Sequence, residues 1–186
     1  MGGAPVTASE TIDLARPLPL DSGQDLARAR VAYESYGLLN DARSNAVLIC
    51  HATTGDQHVA STHPRTGKPG WWDRMVGPGK PIDTDRFHVI CANVLGSCMG
   101  SSGPSSEGPD GRPWAMRFPV ITIRDMVRAQ VALLEHLGIE RLHAVIGGSM
   151  GGMQALSLAA NWPEIPGGVL VIAATGTMAA QNIAFQ

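Results

Sequence analysis

Gly147-Gly148-Ser149-Met150-Gly151-Gly152 fits G-x-S-x-G, a spacing with mechanical meaning when it follows a buried strand and opens a helix. Small residues on both sides of Ser149 allow a sharp turn that lifts the hydroxyl to the carboxyl edge of a sheet, where a serine can act as a nucleophile. A helix starting there turns its free N–H groups toward the same spot. Such donors hold a developing oxyanion, and removing one costs about 2.7–4 kcal/mol of barrier. The N–H of Met150 is the first candidate donor. Upstream, His51-Ala52-Thr53-Thr54-Gly55-Asp56 leaves the end of another apolar run, and chain order places the Thr53 N–H as the second. A glycine-rich phosphate cradle is the competing reading, but G-x-G-x-x-G is absent and no P-loop lysine follows.

A serine hydroxyl needs a base to attack at neutral pH. Where the nucleophile stands on a strand–turn–helix elbow, an Asp or Glu and then a His follow it along the chain. Here all six histidines (His51, His58, His63, His88, His136, His143) precede Ser149, and Glu164 is the one ionisable side chain after it. The triad acid and base are therefore expected outside these residues, and the 186-residue chain by itself is expected to be inactive. The near-absence of charge from Met150 to Gln186 also reads as buried sequence, as in a chain cut short.

Other chemistry-bearing residues read more plainly. His51, His58 and His63 with Asp56 lack H-x-x-x-H or C-x-x-C spacing, so no metal is expected. His51 suits a structural role at a strand end, and His58 and His63 an exposed or loop-lining one. Cys50 and Cys91 fall in apolar runs where thiols are inert, which leaves Cys98 in a loop as the open case. Trp71-Trp72 reads as a loop anchor. Lys80 and Arg74 could attract a phosphate or simply be solvated.

These residues must be held by a scaffold, and its pattern is strands alternating with helices. Arg30 to Tyr36 alternates as a half-buried strand, while Ala46 to Cys50 and Phe87 to Ala92 read as buried strands and Arg141 to Ile146 and Gly168 to Ala174 as two further strands, the last of them an apolar sheet edge if no strand follows it. Ile123, Val127, Gln130/Val131, Leu134 and Leu137 share one helical face, opened by the Thr122/Asp125 cap and stopped by Gly138. A second helix is expected from Ser149 to Ala160. This predicts an α/β fold with a mostly parallel sheet and flanking helices. Residues 1–28 are expected as a loose N-terminal arm or short edge strand. Residues 29–186 are expected as the N-terminal part of a catalytic domain, ending before its last strands.

Composition bounds the partners. With 186 residues, a net charge of −2, 44% hydrophobic and 16% charged residues, the chain is globular without a basic field for nucleic acid or anionic membrane. No signal peptide or spanning run is legible and the three cysteines do not form a scaffold, so a cytoplasmic setting is expected.

Blocks beyond the elbow resemble the homoserine O-acetyltransferase family: His51 to His58, Gly70-Trp71-Trp72, Gly77 to Asp85, Asn93 to Cys98, Gly103 to Ser106, Thr122 to Val127 and Gln181 to Phe185. The resemblance implies an α/β-hydrolase fold that moves an acetyl group from acetyl-CoA to the hydroxyl of L-homoserine, in methionine biosynthesis, through an acyl-enzyme on Ser149. It implies small-molecule substrates, no bound cofactor, a helical lid that these residues stop short of, and a homodimer when complete. Thr53 stands where the family usually has Leu, and Ser97, Met99 and Ser102 also depart from it; none of these removes a catalytic atom. Succinyl as donor, serine as acceptor, an esterase passing the acyl group to water, and an inactive fragment remain alternatives.

Overall fold

The structure, a computed structural model, describes residues 9–184. Along them run β1 (Glu10–Asp13), β2 (Leu18–Pro19), β3 (Asp25–Leu26), β4 (Arg30–Tyr36), β5 (Ala46–Cys50), β6 (Val76–Gly77), β7 (Ile82–Asp83), β8 (His88–Ala92), α1 (Ile123–His136), β9 (Ala144–Gly148), α2 (Met150–Asn161), β10 (Val169–Ile172) and α3 (Ala180–Ala184). Six strands form one sheet in the order β1-β4-β8-β5-β9-β10. β8, β5, β9 and β10 are mutually parallel, whereas β4 is antiparallel to β8 and β1 to β4.

β5 is buried along its whole length, which is why it reads as an unbroken apolar run rather than an alternating one. Its two faces serve different cores. Leu48 and Cys50 point with Ile90 and Val145 toward Val127, Leu133, Ala155 and Leu158 of the two long helices. Val47 and Ile49 point with Val89, Cys91 and Ile146 toward Val59, Val76 and Ile82, so the loop between β5 and β8 covers this face.

α1 begins as the sequence predicts: the Asp125 N–H donates to the Thr122 hydroxyl at 3.2 Å and the Thr122 N–H to the Asp125 carboxylate at 3.0 Å. Leu137 caps its other end, and Gly138 follows at φ +68°, the left-handed turn that a glycine takes without strain. β9 starts at Ala144 rather than Arg141, because Leu142 is drawn out of the strand to donate its N–H to the Ile165 carbonyl at 2.8 Å. No helix among the described residues is long and apolar enough to cross a membrane.

Of the two expectations for residues 1–28, the described part departs from the loose arm and matches the short edge strand. β1 is an ordered edge strand, β2 and β3 pair with each other, and Leu18, Leu20 and Leu26 are buried. Asp21 pins the segment to α1, its N–H donating to Asp125 at 2.9 Å and its carboxylate meeting Arg128 at 2.7 Å. Three spaced leucines give too short a period to read as an element, yet each finds an apolar seat once α1 is in place. Residues 1–8, and Phe185 of the last resemblance block, lie outside the described residues.

Candidate active site

Ser149 stands between β9 and α2 at φ 55° and ψ −123°, a conformation that L residues hold only when their surroundings force it. The surroundings are glycines used for close approach. A Cβ on Gly147 would collide with the Gly151 carbonyl, one on Gly151 with the Cys50 carbonyl, and one on Gly152 with Ala174. The Ser149 N–H donates to the Ile172 carbonyl at 3.0 Å, tying the turn to β10. The serine itself is exposed. Its N–H is thus anchored while its hydroxyl is presented at the carboxyl ends of the parallel strands, where open α/β sheets carry their chemistry.

Thr53 and Met150, the two expected donors, are brought together at the carboxyl ends of the neighbouring strands β5 and β9: the Thr53 hydroxyl donates to the Met150 sulfur at 3.5 Å. Met150 opens α2, so its N–H has no carbonyl within the helix to bond. A cavity of about 640 Å³ opens beside them, walled by Val94, Leu95, Cys98, Phe118 and Met126 as well as the two donors' side chains.

His51 is buried and committed. Its Nε2 accepts the Val94 N–H at 3.1 Å, which leaves Nδ1 to donate to the Ala52 carbonyl at 2.8 Å. Burial depresses its pKa, so the ring is a neutral strut, as its place at a strand end suggested. Among the described residues, no imidazole or carboxylate is hydrogen-bonded to the Ser149 hydroxyl.

His58 corrects the sequence reading, since it is buried rather than exposed. It bridges two carboxylates, Nδ1 to Asp56 at 3.0 Å and Nε2 to Glu34 at 3.4 Å. Burial raises the Asp56 carboxyl, but the backbone N–H and ring of His58, with His63 beside it, outweigh burial and hold it below the ordinary value. The Tyr36 hydroxyl and Ser61 also bond Glu34, and burial pushes the Tyr36 phenol well above its ordinary range. This network fastens the loop after β5 to β4, and nothing local in the sequence announces it.

Ligand atoms of Asp56, His58 and His63 lie within 4.8 Å of one another, close enough for an ion despite the unpromising spacing. The proton positions argue otherwise. His63 Nδ1 accepts from the Arg65 and Thr66 N–H groups at 3.2 and 3.3 Å, so Nε2 carries its hydrogen and gives it to Asp56 at 2.9 Å. A histidine must be unprotonated at the ligating nitrogen, and this one is spent on the carboxylate.

The remaining candidates fall where their types suit them. Cys50 and Cys91 are fully buried and burial raises both thiols, Cys50 to about 12, whereas Cys98 is exposed. Trp71 and Trp72 stack at 5.6 Å, and Trp71 donates to the Asp56 carbonyl at 2.9 Å. Lys80 is paired to Asp73, and Arg74 is exposed. Sequence reasoning missed Gln130 and Gln154 as polar groups of the site's support, although Gln130 already stood out on the apolar face of α1.

A serine held at positive φ between a parallel strand and a helix, in a sheet of this order, defines the alpha/beta hydrolase class, and the chain belongs to the alpha/beta hydrolase fold family, which it matches over residues 45–183. More narrowly, it is 59% identical over 171 residues to the homoserine O-acetyltransferase of Rhodopseudomonas palustris (strain BisB18), covering 91% of this chain and 43% of that protein. Two solved structures superpose with a TM-score of 0.87. One is esterase E22, 39% identical over 95% of this chain and 50% of its own. The other is a homoserine O-acetyltransferase from Bacillus anthracis, 35% identical over 93% and 48%. The chain spans less than half the length of the curated relatives it matches.

Proposed function

We propose that these residues are the amino-terminal portion of a homoserine O-acetyltransferase that carries the acetyl group on Ser149. The observation that supports this most is the Ser149 elbow, with Met150 opening α2 directly after it and Thr53 in side-chain contact with Met150; the N–H groups of these two residues are the donors we assign to the oxyanion of the attacked thioester. The Ser149 oxygen attacks the carbonyl carbon of acetyl-CoA, its proton passes to a base, and the CoA thiol leaves protonated. The homoserine hydroxyl then attacks the acyl-enzyme and regenerates the serine. His51, the histidine that lines the cavity, is committed to the Val94 N–H and the Ala52 carbonyl, so the base and its acid partner come from outside the described residues, and these residues by themselves do not turn over. The substrates are small molecules, the setting is cytoplasmic, no cofactor is needed, and the complete protein pairs as a homodimer.

An esterase is the second reading, favoured by the likeness to esterase E22, because the same half-site can pass its acyl group to water. Product analysis on the catalytically complete protein separates the two. With acetyl-CoA and homoserine, a transferase yields O-acetylhomoserine in proportion to the CoA released, and an esterase yields acetate whether or not homoserine is present. Succinyl-CoA and serine in the same assay decide the donor and acceptor.

A further inference from the structure

Behind the elbow two glutamines lie inside the protein, Gln154 at 0% and Gln130 at 2% exposure. Both come from helix faces packed on the sheet, where side chains of this size are ordinarily apolar. They form a directed chain. The Cys50 thiol donates to Gln130 Oε1 at 3.7 Å, Gln130 Nε2 donates to Gln154 Oε1 at 2.6 Å, and Gln154 Nε2 donates to the His51 carbonyl at 3.2 Å, with a longer contact to the Met150 carbonyl at 3.4 Å. Because Gln130 occupies the oxygen of Gln154, the nitrogen of Gln154 must face His51.

An apolar pair would fill the same volume without the cost of burying two amides. What the amides add is direction. The His51 carbonyl lies two residues before the Thr53 donor and is reached from the first turns of the helix whose first N–H belongs to Met150. Gly151 lets that helix press directly on the Cys50 carbonyl, and the His51 ring fixes Ala52 and Val94 on the far side. The backbone of residues 51–53 is gripped from both sides.

We propose that Gln154 is a positioning residue for the oxyanion hole: by holding the His51 carbonyl against α2 it sets the separation of the Thr53 and Met150 N–H groups, with Gln130 orienting its amide. This rests on Ser149 as the acyl-carrying nucleophile and not on homoserine as the acceptor.

The test uses the catalytically complete protein and two readouts: the burst of p-nitrophenol from p-nitrophenyl acetate, which reports acylation of Ser149 whatever the acceptor, and kcat and KM for acetyl transfer to homoserine. Gln154→Met is expected to slow acylation roughly ten- to a hundredfold with KM within about twofold, less than outright loss of a donor. Gln154→Glu keeps the oxygen that Gln130 needs. Its buried carboxyl donates to His51 when protonated and repels that carbonyl when ionised, so its rate relative to wild type falls as pH rises. A Gln154→Met burst within about threefold of wild type, or a Gln154→Glu ratio flat with pH, overturns the proposal. Should Gln154→Met fail to fold, the Gln154→Glu ratio still decides. A wild type that gives the burst without acetylating homoserine fails the acceptor reading alone, and one with no burst removes the nucleophile and this proposal together.

Discussion

The Thr53 hydroxyl donates to the Met150 sulfur at 3.5 Å across 97 residues of chain, so the two residues expected to supply the oxyanion donors also touch through their side chains. The contact closes the crest of the sheet on one side of Ser149, and the apolar cavity beside it begins there.

Ser149 holds a positive φ without a glycine's freedom. Ser149→Gly is therefore expected to raise stability by about 1 kcal/mol while abolishing the acetyl adduct. Urea unfolding measures the first, and mass spectrometry of the complete protein after acetyl-CoA treatment the second; a less stable variant would contradict the strain.

Gly151 has backbone, not a flexible side chain, where a Cβ would go. Gly151→Ala should cost roughly 1–3 kcal/mol by pushing α2 off the Cys50 carbonyl. It should also slow acylation more than Gly148→Ala, because Gly148 has open neighbours, 3.8 Å being its nearest contact. Comparing the two variants by unfolding and by burst rate checks both statements.

Asp125 is fully buried, closes the cap of α1 and receives the Asp21 N–H and Arg128. Asp125→Ala strands these groups and should destabilise by about 2–3 kcal/mol. Thr122→Ala, which removes the hydroxyl's bonds to the Asp125 N–H and the Asp21 carboxylate but leaves the Thr122 N–H, the Asp21 N–H and Arg128 on the Asp125 carboxylate, should cost about 1 kcal/mol. Equal losses in denaturant titrations would mean that the contacts to Asp21 and Arg128 add nothing.

Burial depresses both His51 and His88 below the ordinary 6.5. The unfolded chain then binds protons that the folded chain refuses, so stability is full above about pH 6.5 and falls as pH drops toward the folded values. The unfolding midpoint should decline between about pH 7.5 and 5.5, and less so in His88→Gln. A midpoint that rises on acidification would reverse the sign of both shifts.

Native thiol labelling should modify Cys98 and spare Cys50 and Cys91, which are buried and hard to ionise. Mass spectrometry after brief iodoacetamide treatment should find one adduct, with three appearing in denaturant.

The helix cap at Thr122 and Asp125, the buried β5 and the turn that presents Ser149 were legible in the sequence because each is a local pattern, set by residues within a few positions of one another. Small neighbours and an adjoining strand and helix suffice to shape the elbow on which Ser149 stands. The second partner of His58 was not legible: Glu34 lies 24 residues away and reaches it only when β4 and the loop after β5 are folded together. Nor was the bond from Gln154 to the His51 carbonyl, 103 residues upstream, for a glutamine on a helix carries no mark of what it will face. Leu18, Leu20 and Leu26 follow the same rule, as they are buried in one cluster with Leu48, Ile90 and Leu133, which come from distant parts of the chain. Sequence by itself determined which backbone turns and which residue types stand at the reaction centre. Tertiary structure decided what holds them there, because burying a polar group is favourable only once its distant partner is in place.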